Sequence, residues 1–101
     1  MIKTKMSRHA INDRLDRLTN LVITLGAGEV AFSRPDHNHP GTIKEITTTG
    51  IILCRKAEDG TLITGFMATI DQAYEVYGGK PPQTIFNVVK YNNKKYTFLL
   101  K

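Results

Sequence analysis

The sequence has no tryptophan, a single cysteine and no long apolar run. One cysteine excludes an internal disulfide, as is typical of proteins in a reducing compartment, so we expect a cytoplasmic protein. A membrane helix needs roughly 18 or more apolar residues in succession, so we expect no membrane partner. Acidic side chains are also scarce relative to basic ones, 9 against 14, which leaves a net charge of +5.

Length and composition predict one folded domain. The 101 residues are 41% hydrophobic and 23% charged, which is close to the average for soluble globular proteins. We therefore treat residues 1–101 as a single domain. The positive charge favours RNA or another anionic partner, because its field attracts and steers anions.

The N-terminal part predicts an amphipathic helix over residues 7–25. Ser7 is placed to cap this helix and Gly26 to end it. Apolar side chains recur at alternating spacings of four and three residues, which places them on one stripe of a helix. The stripe comprises Ile11, Leu15, Leu18, Val22 and Leu25. We expect the stripe to pack on the core.

Four β-branched and apolar runs predict strands. They cover residues 29–32, 42–49, 51–56 and 61–68. Between the last two runs, Asp59-Gly60 is a strong hairpin signal, because glycine tolerates the positive φ of a tight turn. If these two residues form the whole loop, Arg55 lies opposite Thr64 and the two side chains share one face of the sheet.

The C-terminal part is less clearly patterned. Residues 69–77 predict a short helix that a glycine pair ends, and residues 84–91 fit a helix or a strand equally well. Asn92-Asn93 predicts a turn, and residues 96–100 suit a last strand. Together the runs predict an α+β fold: an N-terminal amphipathic helix packed on a small antiparallel β-sheet, with a short helix after the central hairpin.

The loop that contains His37 and His39 is the only segment that suggests a metal site. Two histidines can chelate, and Asp36 or Glu29 can add a carboxylate, but zinc needs three or four ligands and no cysteine pair supports the site. We therefore expect a polar surface loop and no metal. No glycine-rich phosphate loop is present, so no cofactor is expected. Cys54 lies in a predicted strand, which favours a buried apolar role over a nucleophilic one.

A set of basic and hydroxyl side chains supplies the parts of a metal-free ribonuclease. Histidine suits proton transfer near neutral pH, and cations stabilise a charged phosphorane. The set is His9, Arg14, Arg17, Arg55, Lys56 and Thr64. His9 lies about 200° around a helix from Ile11, so it points away from the core stripe. A solvated histidine and a catalytic one are equally consistent with that position.

Three stretches carry a resemblance to a known class of proteins. They are residues 7–10 (Ser-Arg-His-Ala) with Arg14 and Arg17, residues 48–53, and residues 59–66 (Asp-Gly-Thr-Leu-Ile-Thr-Gly-Phe). In this order they resemble small phage and toxin nucleases of the barnase–EndoU–colicin–RelE class. The resemblance covers residues 7–70 and does not extend to residues 71–101.

The resemblance implies roles for individual residues. His9, Arg55 and Thr64 would be catalytic, while Arg14, Arg17 and Lys56 would contact nucleic acid. It predicts a metal-independent RNA-cleaving or RNA-binding protein of phage or toxin type, in which the three catalytic residues converge on one cleft. The alternative is a non-catalytic phage-type protein that grips a host protein or nucleic acid. A structural protein with incidental charge is the third possibility.

Overall fold

A computed structural model describes residues 15–100 of the chain. Its elements are α1 (Leu15–Leu25), β1 (Val30–Pro35), β2 (Thr42–Thr47), β3 (Ile51–Lys56), β4 (Leu62–Met67), α2 (Ile70–Tyr77), α3 (Gln83–Lys95) and a 3-10 helix (Thr97–Leu99). The predicted α+β class is confirmed, with one helix before the sheet and the others after it. The predicted start of the first helix lies outside the described residues.

The four strands form one antiparallel sheet in chain order, β1-β2-β3-β4. β3 lies between β2 and β4, and its first residues Ile51, Ile52 and Leu53 are 1%, 0% and 2% exposed. Helices cover both faces of this strand, so successive side chains are buried in opposite directions. That burial explains why β3 is continuously apolar rather than alternating.

One face of the sheet, which we call the α1 face, packs against α1. Leu18 and Leu21 of the helix contact a cluster that includes Leu53 and Met67. The helix lies close to β4, since a Cβ added at Gly65 would be 3.0 Å from Leu18 Cδ1 and 2.9 Å from Leu53 Cδ2. A strand residue without a side chain is therefore needed beneath α1.

The opposite face, which we call the α2/α3 face, carries the second core cluster. Ile46 and Ile52 of the sheet pack with Val76 of α2 and Val89 of α3, and all four are at most 2% exposed. This face is covered by helices towards the end of the sheet that holds the β2–β3 turn. The other end of the same face is more open and holds a cavity described below.

α2 begins with a capping box, as its sequence indicates. The Thr69 hydroxyl accepts a hydrogen bond from the Gln72 N–H at 3.2 Å, and the Gln72 side-chain oxygen accepts one from the Thr69 N–H at 2.9 Å. The helix ends at Gly78, which adopts a left-handed conformation. These local signals account for the boundaries of α2.

The predicted turn at Asn92-Asn93 and the predicted last strand are both wrong. Both asparagines lie inside α3, and their side chains bind carbonyls of the sheet. Asn92 Nδ2 donates to the Thr49 carbonyl and Asn93 Nδ2 donates to the Ala68 carbonyl, each at 2.8 Å. The two amides thus fasten the end of α3 to two sheet connections, and the chain continues as a 3-10 helix.

The hairpin containing Asp59-Gly60 is confirmed, but its loop is longer than two residues. The Lys56 N–H donates to the Thr61 carbonyl at 2.8 Å, so residues 57–60 form the connection. Gly60 has a φ of 74°. The Asp59 side chain accepts from the Thr61 N–H at 2.9 Å, the local bond that makes aspartate favourable in turns.

The longer loop changes the predicted strand register. Cys54 lies opposite Thr64, and the next residue of β3, Arg55, lies opposite Leu62. Ile63 is therefore the extra residue of a bulge in β4. Because neighbouring residues of a strand point to opposite faces, the register puts Thr64 and Arg55 on different faces of the sheet.

Candidate functional site

The structure separates the residues that the sequence nominated for catalysis. Thr64 lies on the α2/α3 face together with Cys54, whereas Arg55 lies on the α1 face. The prediction that Thr64 and Arg55 share one face is therefore wrong. His9 and Arg14 lie outside the described residues, so their roles stay predictions.

Arg55 makes contacts typical of a structural residue. Its Nε donates to Glu45 Oε1 at 3.0 Å, and its Nη1 donates to the Gly60 carbonyl at 3.1 Å. Both charged side chains are 17% exposed. The guanidinium thus ties β3 to β2 and to the hairpin loop, and its charge is balanced by a carboxylate. Lys56, the next residue, is exposed at the end of β3.

Thr64 lines a cavity of about 290 Å³ at the open end of the α2/α3 face. The walls also include Cys54, Ile63 and Phe66, and the loop between β1 and β2 contributes His39. The Thr64 hydroxyl oxygen is buried and has no hydrogen-bond partner among the described residues. Such a group is costly unless a ligand or water satisfies it, so this cavity, the Thr64 pocket, is a candidate site.

Asp36 organises the loop that closes one side of the Thr64 pocket. Its Oδ1 accepts from the Asn38 N–H at 3.0 Å, and its Oδ2 lies 3.1 Å from His39 Nδ1 and 3.6 Å from Lys44 Nζ. Burial opposes ionisation, but these hydrogen bonds and the Lys44 charge outweigh it and lower the pKa of Asp36. The carboxylate therefore engages Nδ1 of His39 and leaves Nε2 as the ring nitrogen available to a ligand.

The charge of the Thr64 pocket is close to balanced. Lys44 Nζ lies 3.6 Å from Asp36 Oδ2 and 4.0 Å from Glu75 Oε1, and its side chain is only 18% exposed. The ammonium therefore lies between two carboxylates. Lys44 gives the pocket no excess positive charge with which to hold a phosphate.

Cys54 contributes an uncharged wall to the Thr64 pocket. Its side chain is half-buried and packs against the core of the α2/α3 face. Burial raises the pKa of the Cys54 thiol. The thiolate is the reactive form of cysteine, so this environment does not activate Cys54 as a nucleophile.

The two loop histidines contact different side chains. His37 Nε2 lies 3.1 Å from Arg34 Nη2, whereas His39 Nδ1 contacts Asp36. Within residues 15–100, no group of three or more histidine, cysteine, aspartate or glutamate side chains is placed to hold a metal ion. The loop histidines thus have different roles despite their proximity in sequence.

A second candidate surface lies at the C-terminal end of the described chain, where the positive charge is concentrated. Residues 1–75 contain nine basic and nine acidic side chains, whereas residues 76–101 contain five lysines and no acidic side chain. The whole net charge of +5 is therefore contributed by the last quarter of the sequence. Adding the charges along the chain reveals this asymmetry from the sequence alone.

Exposed aromatic rings lie among these lysines. Tyr91 is 56% exposed and Phe98 is 72% exposed. Tyr96 lies between them, with its ring centroid 6.5 Å from that of Tyr91 and 6.2 Å from that of Phe98. Lys95 Nζ lies 5.6 Å from both tyrosine centroids, and Lys94 is exposed beside it. We call these five residues the C-terminal basic–aromatic surface.

Arg17 of α1 lies next to this surface. Arg17, Asn20 and Thr24 are spaced by three and four residues, so they share one stripe of the helix. With Phe98 and Leu99 they line a groove of about 500 Å³. The structure thus brings one nominated nucleic-acid contact, Arg17, to the basic–aromatic surface.

Comparisons with known protein families, curated proteins and solved structures find no match to this chain. In the part of the chain that the structure describes, no helix has the length and apolar character needed to cross a membrane. The Thr64 pocket and the basic–aromatic surface are the two candidate functional sites of the described residues.

Proposed function

We propose that the protein binds RNA through the C-terminal basic–aromatic surface. The observation that carries this proposal is the segregation of charge: residues 76–101 contain five basic side chains and no acidic one. Basic side chains gathered on one surface release counterions when they neutralise phosphates, and this release drives nucleic-acid binding. The resemblance to phage and toxin nucleases is consistent with the same class of ligand.

The helix α1 adds a second basic wall to the proposed interface. Arg17 and Phe98 line the same groove, together with Asn20 and Thr24. Arginine contacts phosphate, and asparagine and threonine offer hydrogen bonds to a sugar or a base edge. A nucleotide in this groove would therefore meet an ionic, a polar and an aromatic group.

The binding proposal can be tested with single lysine variants. We expect Lys94→Gln to weaken binding to a short labelled RNA several-fold and to reduce the salt slope by about one. Lys56→Gln is the comparison variant: it removes one exposed charge at the end of β3, where the resemblance places a different nucleic-acid contact. Fluorescence anisotropy across a salt series measures both. No RNA binding at low salt, or equal weakening by Lys56→Gln, would contradict the assignment of this surface.

Metal-independent cleavage of RNA is a second proposal, favoured by the Asp36–His39 pair. A carboxylate that holds one imidazole nitrogen leaves the other to transfer a proton, as general acid–base catalysis requires. The unpartnered Thr64 hydroxyl lines the same pocket and offers a hydrogen bond to a substrate oxygen. Lys44 is already shared by two carboxylates, so a phosphate clamp would need further groups, for which His9 and Arg14 remain candidates.

The cleavage proposal can be tested with three histidine variants. Structured RNAs are incubated without divalent metal, and gels are examined for products with 2′,3′-cyclic ends. We expect His39→Ala to lower the cleavage rate by about 10²–10⁴, while His37→Ala, which alters a neighbouring histidine with a different partner, has little effect. An inert parent protein would refute catalysis. Loss of cleavage in His9→Ala but not in His39→Ala would assign proton transfer to His9 instead.

A further inference from the structure

We propose that the C-terminal basic–aromatic surface is a stacking platform for unpaired nucleotides, so that its ligand is single-stranded rather than double-stranded RNA. This inference rests on the proposed RNA binding and adds the class of RNA. Two aromatic rings of this surface, Tyr91 and Phe98, are exposed.

Two exposed aromatic side chains flank Tyr96 on this surface. Phe98 is 72% exposed and Tyr91 is 56% exposed, although both have apolar surface that would be more stable in a core. Contiguous exposed apolar surface generally marks an interaction site. Here the rings lie beside Lys94 and Lys95, so the partner must offer both flat apolar surface and negative charge.

The arrangement of the rings leaves them available for stacking. The ring planes of Tyr91 and Phe98 are turned by 79° and 78° from that of Tyr96. Among the described residues, no ring stacks face to face on Tyr91 or Phe98. A base can therefore lie flat on such a ring, an interaction that every base can make because each has a π-face.

The cations lie where the backbone of a stacked strand would run. Lys95 Nζ is 5.6 Å from the centroids of both Tyr91 and Tyr96, and a hydrogen bond with Tyr91 is the main cause that raises the pKa of Lys95. Arg17 and Phe98 line the same groove. Alternating aromatic and basic side chains is the general pattern of single-strand binding sites.

The groove favours unpaired bases over a duplex. In a double helix the base faces are stacked on one another, so side chains reach only the base edges and the backbone. The groove beside Phe98 has a volume of about 500 Å³ and presents the Asn20 amide. An unpaired base can lay its face on Phe98 while Asn20 contacts its edge, whereas a paired base cannot stack on the ring without leaving the helix.

The test compares one labelled RNA of uridine-rich sequence, free and annealed to its complement. Fluorescence anisotropy should give tighter binding to the single strand by at least about tenfold. Phe98→Leu, which keeps an apolar side chain but removes the ring, should weaken single-strand binding by about 5- to 100-fold and leave duplex binding unchanged. Tyr91→Leu is a second variant of the same kind. Ile23→Leu, at a residue 75% exposed on α1, is the matched apolar control.

Tyrosine fluorescence gives an independent measurement, because the chain has no tryptophan. Stacking on Tyr91 should quench this emission when the single strand is added, and Tyr91→Leu should remove most of the quenching. Equal affinity for single strand and duplex, with no effect of Phe98→Leu, would overturn the platform while leaving RNA binding intact. Failure to bind either RNA would refute the proposed function itself. Competition by polyglutamate as strong as that by RNA would assign the surface to an acidic protein.

Discussion

At the scale of the residue, Gly50 lies where the β2–β3 turn packs closely against α3. Its φ is 89°, and an added Cβ would lie 2.7 Å from Asn92 Nδ2. That nitrogen donates to the Thr49 carbonyl at 2.8 Å, so a side chain at Gly50 would strain the backbone and displace a buried amide. The packing of the β2–β3 turn against α3 therefore requires a residue without a side chain at position 50.

We expect Gly50→Ala to lower the free energy of unfolding by about 2–4 kcal/mol, from backbone strain and steric overlap together. Urea denaturation measures the change. Gly41→Ala is the control, because Gly41 has a φ of 87° but no atom within 4 Å of the added Cβ. An equal loss in the two variants would show that contact with Asn92 contributes nothing.

A second prediction at the scale of the residue is that Asp36 makes the stability of the fold depend on pH. Its pKa is lowered in the folded protein because hydrogen bonds and Lys44 outweigh burial. A carboxyl group with a depressed folded-state pKa stabilises the fold above its unfolded value, about 3.9, and loses that contribution as the pH falls through the folded value. We expect acid destabilisation of the parent below about pH 4 to be reduced in Asp36→Asn, as measured by urea midpoints at several pH values. Parallel pH profiles would contradict this expectation.

At the scale of the element, the apolar stripe predicted from the sequence identifies only some of the side chains that pack α1 on the sheet. Leu18 is buried as the stripe predicts, but Leu21 is buried more deeply, at 1% exposed, than Val22 and Leu25, which are partly exposed. Leu18 of the helix packs over Gly65 of β4, and the buried side of α1 runs through Leu18 and Leu21.

Truncation of Leu21 should therefore be severe. We expect Leu21→Ala to lower the free energy of unfolding by about 2–5 kcal/mol, through lost burial and a cavity. Ile23→Ala, at a residue 75% exposed, should change it by less than about 0.5 kcal/mol. Thermal or urea unfolding provides the measurement, and a small effect of Leu21→Ala would refute its place in the core.

A second prediction at the scale of the element concerns the capping box of α2. Thr69→Ala removes the hydroxyl that accepts from the Gln72 N–H, and we expect a loss of about 1 kcal/mol. Thr69→Ser keeps this bond and should retain most of the stability. Unfolding curves of the two variants that coincide would show that the cap is not formed in solution.

At the scale of the whole molecule, charge and aromatic surface coincide. The lysines of residues 76–101 account for the net charge of +5, and one of them, Lys95, lies beside the exposed ring of Tyr91. Two other described cations, by contrast, are paired with carboxylates, as Arg55–Glu45 and Lys44–Asp36. The basic–aromatic surface is therefore the one that we propose for an extended anion.

We expect RNA affinity to fall steeply and linearly on a plot of its logarithm against the logarithm of salt concentration, because phosphate contacts release counterions. The measurement is a salt titration of the complex with labelled RNA. A residual affinity at high salt would report the stacking contribution, which is less sensitive to salt than the ionic contacts. A complex insensitive to salt over the whole range would contradict an ionic interface.

Local patterns in the sequence determined much of the fold. The strand β3, the hairpin around Asp59 and Gly60, and the capping of α2 follow from side-chain periodicity and from bonds between residues a few positions apart. Such signals depend on near neighbours and are present before the chain folds. The segregation of positive charge into residues 76–101 is also a property of the sequence alone.

Only the tertiary structure decided the register, the end of the fold and the composition of the sites. Asn92 and Asn93 stay helical because their amides bind carbonyls 43 and 25 residues away in the sequence, and no local pattern encodes those partners. A bulge in β4 turned Arg55 away from Thr64, since one extra residue reverses the face of a side chain. Arg17 and Phe98 line one groove because long-range packing brings α1 close to the end of the chain. Local sequence does not specify which distant side chains share a surface in this way.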